Sequence, residues 1–120
     1  MKITGFNPLI ATKEAESAIA LFETLGFEKS HKKEGIGEQY MTTIRLKDTN
    51  GFHVDVAAAD YPQDVMIIRI NVDDFDEALK FFTDRGFFDP LGNEIHSGSS
   101  RDAILVAPSG FPIRLIQHLK

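Results

Sequence analysis

A histidine and an aspartate one residue apart, His53-Val54-Asp55, stand in a run of strand-forming residues. Side chains two apart on a strand share a face. An imidazole and a carboxylate placed side by side can exchange a proton, so His53 and Asp55 are the candidates for catalysis. Two arginines, Arg69 and Arg114, interrupt apolar runs of the same kind, Ile67-Ile68-Arg69-Ile70 and Ile113-Arg114-Leu115-Ile116. A guanidinium is a planar fork of donors that holds a carboxylate or phosphate through two parallel bonds. An anion clamp beside a proton-exchanging pair points to a small polar or anionic ligand. The same residues also allow a plainer reading, in which Asp55 and Arg114 only neutralise one another.

Composition narrows the field. With 120 residues the chain has the size of one domain, and 42% hydrophobic against 26% charged residues suits an ordinary globular core. The net charge of −5 argues against a nucleic-acid partner, which would need a basic face. Without cysteine there is no disulfide framework, thiolate metal site or cysteine nucleophile. No apolar run approaches the roughly 20 residues that span a bilayer, and the start of the chain has no long apolar stretch. A cytoplasmic protein without a membrane partner is expected.

The elements that must position these residues are written twice. At a shift of 60, Ala18-Ile19-Ala20-Leu21-Phe22 falls on Ala78-Leu79-Lys80-Phe81-Phe82, and Gly26-Phe27 falls on Gly86-Phe87. At a shift of 59, Gly51 to Val56 falls on Gly110 to Leu115. The first copy reads as a strand over Pro8–Thr12, a helix opened by Lys13 or Glu14 and running to Thr24, and strands over Phe27–Lys33, Gln39–Lys47 and Phe52–Ala57. Ala15, Ala18, Ile19 and Phe22 make one apolar helix stripe. Gly26 ends the helix, Gly35-Ile36-Gly37 is a turn, and Asp48-Thr49-Asn50-Gly51 is a hairpin turn. The second copy reads as a strand over Val65–Val72 and a helix capped by Asp73 or Asp74, with the stripe Phe75, Ala78, Leu79, Phe82. Gly86 ends that helix. Strands follow from Phe87-Phe88, over Glu94–Ser97, Asp102–Ala107 and Phe111–Leu119, with a turn at Pro108-Ser109-Gly110. The fold class is α+β, two tandem βαβββ units over residues 1–60 and 64–120 within a single domain. A pseudo-twofold of this kind predicts a cleft where equivalent strands converge.

Period-two alternation distributes the side chains. Ile68, Ile70 and Val72 suit the helix-packed face, which turns Ile67, Arg69 and Asn71 to the cleft. Phe52, Val54 and Val56 pack inward, leaving His53 and Asp55 in the cleft. Ile113 and Leu115 pack, so Arg114 faces the cleft. Asp55 and Arg114 are repeat equivalents and are expected to approach each other. Phe22, Phe27, Phe75, Phe82 and Phe87 are expected in the core. Phe81, Phe88, Tyr40 and Tyr61 remain for the cleft or a dimer surface. The run His31-Lys32-Lys33-Glu34 reads as a solvated edge, and Ser97-Gly98-Ser99-Ser100 as a loop.

Leu21-Phe22-Glu23-Thr24-Leu25-Gly26-Phe27 and the turn and strand Asp48-Thr49-Asn50-Gly51-Phe52-His53-Val54-Asp55, within a doubled βαβββ unit, resemble the glyoxalase/bleomycin resistance/extradiol dioxygenase superfamily, the vicinal-oxygen-chelate fold. The resemblance implies a small-molecule ligand, frequent homodimers, and, in metal-using members, ligands from the first and fourth strands of each unit. Those positions fall here on Asn7, Asp55, Ile67 and Arg114. Ile cannot donate to a metal and Arg has no lone pair to give, so the expectation is a protein with no metal and no cofactor. Its ligand set is Asn7, His53, Asp55, Arg69 and Arg114. The resemblance leaves two alternatives: a metal-dependent lyase, isomerase or dioxygenase that uses Asp55 with His53 or His96, and an antibiotic-sequestering resistance protein. Two cleft arginines and the absence of Trp oppose a cationic drug.

Overall fold

The computed structural model describes residues 1–30, 42–90, 92, 95–96 and 99–119. In chain order the elements are β1 (Ile3–Thr12), α1 (Ala15–Thr24), β2 (Glu28–Lys29), β3 (Thr42–Lys47), β4 (His53–Ala58), β5 (Val65–Val72), α2 (Phe75–Thr83), β6 (Ile95–His96), β7 (Ser100–Val106) and β8 (Pro112–His118). They form two compact units, one of Asn7–Met66 and one of Met1–Phe6 with Ile67–Lys120. The expected turn at 35–37, the charged run 31–34, Tyr40, Ser97-Gly98 and the His96 side chain lie outside the described residues. Among the described residues no helix is long and apolar enough to cross a membrane.

In the unit Asn7–Met66 the strands run in the order β2-β3-β4-β1. β4 lies parallel to β1, with Asp55 opposite Leu9, and antiparallel to β3, with Asp55 opposite Arg45. The apolar stripe of α1, Ala15, Ala18, Ile19 and Phe22, packs with Ile10 and Phe27 on Leu46, Val54 and Val56. The β3–β4 hairpin turns on Asp48, whose Oδ1 accepts from the backbone N–H of Asn50 (3.0 Å) and Phe52 (2.9 Å). That turn corrects one expectation. Phe52 is not packed inward but 65% exposed, because the Asp48 contacts hold it in the turn, where strand alternation has not yet begun.

The second unit orders its strands as the first residues of β1, then β5-β8-β7-β6. β1 starts earlier than the expected Pro8. Its first residues belong here, next to a pair of bonds in which Lys2 N–H donates to Asp73 Oδ1 (2.7 Å) and Asp73 N–H donates to the Lys2 carbonyl (3.1 Å). β5 occupies the expected residues. Asp74 caps α2, its Oδ1 accepting from Glu77 N–H at 3.0 Å. Phe75 and Ala78 are buried, with Leu79, Phe82 and Phe87 packed beside Ile70, Val72, Ala103, Leu105, Ile113 and Leu115. Both helices end on a glycine in the left-handed region, Gly26 at φ 106° and Gly86 at φ 92°, where a Cβ would be strained. Phe87-Phe88 do not start a strand. Phe88 makes a single antiparallel bridge to Val106.

Candidate functional site

In each unit the strands have an apolar face under the helix and an opposite face that carries polar groups. On β4, Val54 and Val56 face α1, so His53 and Asp55 face away. On β5 and β8, Ile70, Val72, Ile113 and Leu115 face α2, so Arg69, Asn71, Arg114, Ile116 and His118 face away. The side chains expected to do chemistry therefore lie on the polar faces.

In the unit Asn7–Met66, Asp55 is completely buried and Arg45 covers it. Arg45 Nε donates to Asp55 Oδ1 at 3.1 Å, and Nη2 donates to Asp55 Oδ2 at 3.5 Å and to Asn7 Oδ1 at 3.4 Å. Asn7 is also buried and donates through Nδ2 to the Pro8 carbonyl at 2.9 Å. Arg45 thus brings two of the expected residues together. His53 stands at the half-buried start of β4, opposite Lys47. Burial pushes its imidazole below the ordinary value, and the positive charges of Arg45 and Lys47 add to that. Asp55 and Asp48 pull the other way. A neutral imidazole at neutral pH suits a proton acceptor.

In the second unit Arg69 and Arg114 stand directly opposite each other on the parallel strands β5 and β8, with 0% and 1% of their surface exposed. Asp102 on β7, itself 0% exposed, takes Arg114 side-on. Arg114 Nε donates to Oδ1 (3.2 Å) and Oδ2 (3.3 Å), and Nη2 donates to Oδ2 (2.8 Å). Arg69 Nε donates to Asn71 Oδ1 at 3.1 Å, and its Nη2 lies 3.4 Å from His118 Nε2. The β1 backbone makes room for this arrangement: a Cβ on Gly5 would meet Asn71 Cβ and Cγ at 3.3 Å. Both guanidiniums are held in set orientations, as geometric recognition of an anion requires.

Three residues of these clusters, Arg45, Asp102 and His118, were not in the expected set. The signal for the first two was present. Arg45 lies between Ile44 and Leu46, and Asp102 precedes Ala103-Ile104-Leu105, so alternation alone puts both on the polar faces. Their partners could not be read, since strand pairing and register are not written in sequence order.

The positions at which the resemblance expects metal ligands are Asn7, Asp55, Ile67 and Arg114. Arg45 occupies Asp55, Ile67 is a buried hydrocarbon, and Arg114 is a fixed cation clamped by Asp102. This donor set does not fit a divalent cation, which needs neutral or anionic N and O donors. Among the described residues no three His, Asp or Glu side chains gather to hold a metal ion.

No family model matches the chain, and no curated protein matches it by sequence. Solved structures do. Methylmalonyl-CoA epimerase from Mycobacterium tuberculosis is 18% identical with a TM-score of 0.70, over 96% of this chain and 88% of that one. A glyoxalase/bleomycin resistance protein/dioxygenase superfamily member from Vibrio splendidus is 13% identical with a TM-score of 0.65, over 98% of this chain and 100% of that one. A mutant glyoxalase I from Zea mays is 16% identical with a TM-score of 0.71, over 98% of this chain and 44% of that one. The fold is that of the glyoxalase/bleomycin resistance/dioxygenase superfamily, of mixed α+β class, with two helices among the described residues.

Proposed function

We propose that the chain is a glyoxalase/bleomycin-resistance-like protein that binds a small polar or anionic molecule without a metal. Arg69 and Arg114 grip the ligand, and Asn7, His53 and Asp55 are the proposed ligand residues of the other unit. The observation that carries this reading is the pairing of Arg69 with Arg114 on adjacent strands, both buried and both oriented by side-chain partners. Burying two guanidiniums is costly. A fixed pair of forks offers in return a preorganised receptor for a carboxylate, sulfate or phosphate group.

The metal-dependent enzyme is disfavoured by Arg45, whose guanidinium holds the position at which Asp55 would bind metal. Sequestration of a cationic drug is disfavoured by the arginine pair. The protein is proposed to be cytoplasmic and to work as a homodimer, which sedimentation would test.

Thermal unfolding against a panel of small carboxylates, sulfate and phosphate tests the binding reading. A ligand at a hundred times its Kd stabilises the fold by about 2.7 kcal/mol. Arg69→Lys and Arg114→Lys keep the charge but lose the fork, and each is expected to abolish most of that stabilisation. A panel without effect on the wild type refutes the proposal.

A further inference from the structure

Both buried arginines lean the same way. Arg69 and Arg114 are opposite in register, yet Arg69 reaches forward to Asn71 and His118, and Arg114 reaches Asp102, which stands opposite Ile116. Both heads therefore point toward the C-terminal end of β8. There the row ends in His118, an exposed residue. Arg69 thus links the buried row to an exposed imidazole.

Arginine only donates, so in the 3.4 Å contact His118 Nε2 is the acceptor and the neutral ring carries its proton on Nδ1. We infer that His118 is a third anion-recognition residue whose proton uptake is coupled to anion binding; this rests on the anion-binding reading above. An arriving anion offers Arg69 Nη2 a charged acceptor in place of a neutral ring nitrogen. His118 then lies beside a negative charge, which favours its cationic form. It takes one proton from solvent on Nε2 and donates that N–H to the anion. The Arg69–His118 hydrogen bond is given up, and no covalent bond changes other than the new N–H.

The charged groups on this face, among the described residues, are Arg114 on the same strand, Arg69 on β5 and Asp102 on β7. The β1 residues of this unit's sheet, Ile3–Phe6, contribute none. Arg101 belongs to the opposite face, where it lies 4.6 Å over the Phe75 ring and pairs with Asp76 at 2.8 Å. Asp102 is engaged by Arg114 in three hydrogen bonds. His118 is thus the titratable group at the open end of the row.

The test is calorimetric titration of the full chain with sulfate, whose charge is constant from pH 5.5 to 8.5, in buffers of differing ionisation heat. Affinity is expected to rise roughly threefold or more from pH 8 to pH 6, with net proton uptake on binding. His118→Gln keeps an acceptor for Arg69 but cannot titrate, and is expected to lose both the slope and the uptake. Sulfate binding that is pH-independent in the wild type, or a slope that survives in His118→Gln, overturns this inference and leaves the anion-binding reading standing. If no anion of the panel binds at any pH, the reading itself fails and this inference with it.

Discussion

Among the described residues each unit holds a buried carboxylate paired with a guanidinium, with the charges exchanged between strands. In the unit Asn7–Met66 the acid, Asp55, is on β4 and the arginine, Arg45, on β3. In the other unit the arginine, Arg114, is on β8 and the acid, Asp102, on β7. The geometry differs as well. Arg45 stands directly opposite Asp55, whereas Asp102 stands opposite Ile116, diagonal to Arg114. The Arg45 side chain keeps 21% of its surface exposed, while Arg114 and Asp102 keep 1% and 0%. The duplication has preserved the helix stripe, the glycine that stops it and the hairpin turn, and has left the polar face free to change. A buried charge needs a partner, but either strand of a hairpin can supply it.

The helices diverge in the same direction. α2 has a side-chain cap at Asp74 and buries Phe75 and Ala78, whereas α1 starts at Glu14 with no side-chain cap bond and buries no residue fully. The more completely buried ion pair thus belongs to the unit with the better anchored helix.

The largest effect expected from this comparison is at Asp102. Asp102→Ala leaves Arg114 buried without its clamp and should cost roughly 3–5 kcal/mol. The double variant Asp102→Leu with Arg114→Met should recover most of that loss, since paired apolar replacement avoids burying a lone charge. Urea unfolding of the two single variants and the double variant measures the coupling, and purely additive losses would show that the clamp is unimportant.

Arg45→Ala should cost less, about 1–3 kcal/mol, because the partly exposed Arg45 leaves a route for water to Asp55. A loss equal to that of Asp102→Ala would erase the difference between the units. Gly5→Ala presses on Asn71 and through it on the Arg69 contact. It should destabilise by about 1 kcal/mol and weaken sulfate binding, whereas Gly26→Asn, strained at φ 106° but with nothing within 4 Å of its Cβ, should lower stability without weakening sulfate binding.

His53 should give the smallest effect. Its folded value is held below that of the unfolded chain, so below the ordinary histidine value, near 6.5, the unfolded state binds more protons. Stability from this group is present above that pH and is lost as pH falls toward the folded value. NMR titration should find the His53 midpoint below the free imidazole value, and His53→Asn should flatten slightly the fall in stability between pH 7 and pH 5. A midpoint at or above the free value would contradict the burial and the cationic neighbours assigned to it.

Much of the scaffold was legible because local rules decide it. Helical spacing marked Phe75, Ala78, Leu79 and Phe82, and the two stop glycines marked the helix ends. Alternation put Arg69, Arg114, His53 and Asp55 on the polar faces. Two errors have local causes too. Phe52 looked like strand because alternation was extended into the Asp48 turn. Phe87-Phe88 looked like strand because an aromatic pair follows a stop glycine, although it makes one bridge only.

The helices, the repeat and the face on which most strand side chains stand were determined by the sequence, since each depends on residues a few positions apart. The tertiary structure decided the rest: that Arg45 covers Asp55, that Asp102 rather than a residue level with it clamps Arg114, and that Arg69 meets His118 across 49 positions. These contacts depend on which strands pair and in what register, and pairing is selected by the burial of whole faces. No single side chain encodes its partner across the sheet.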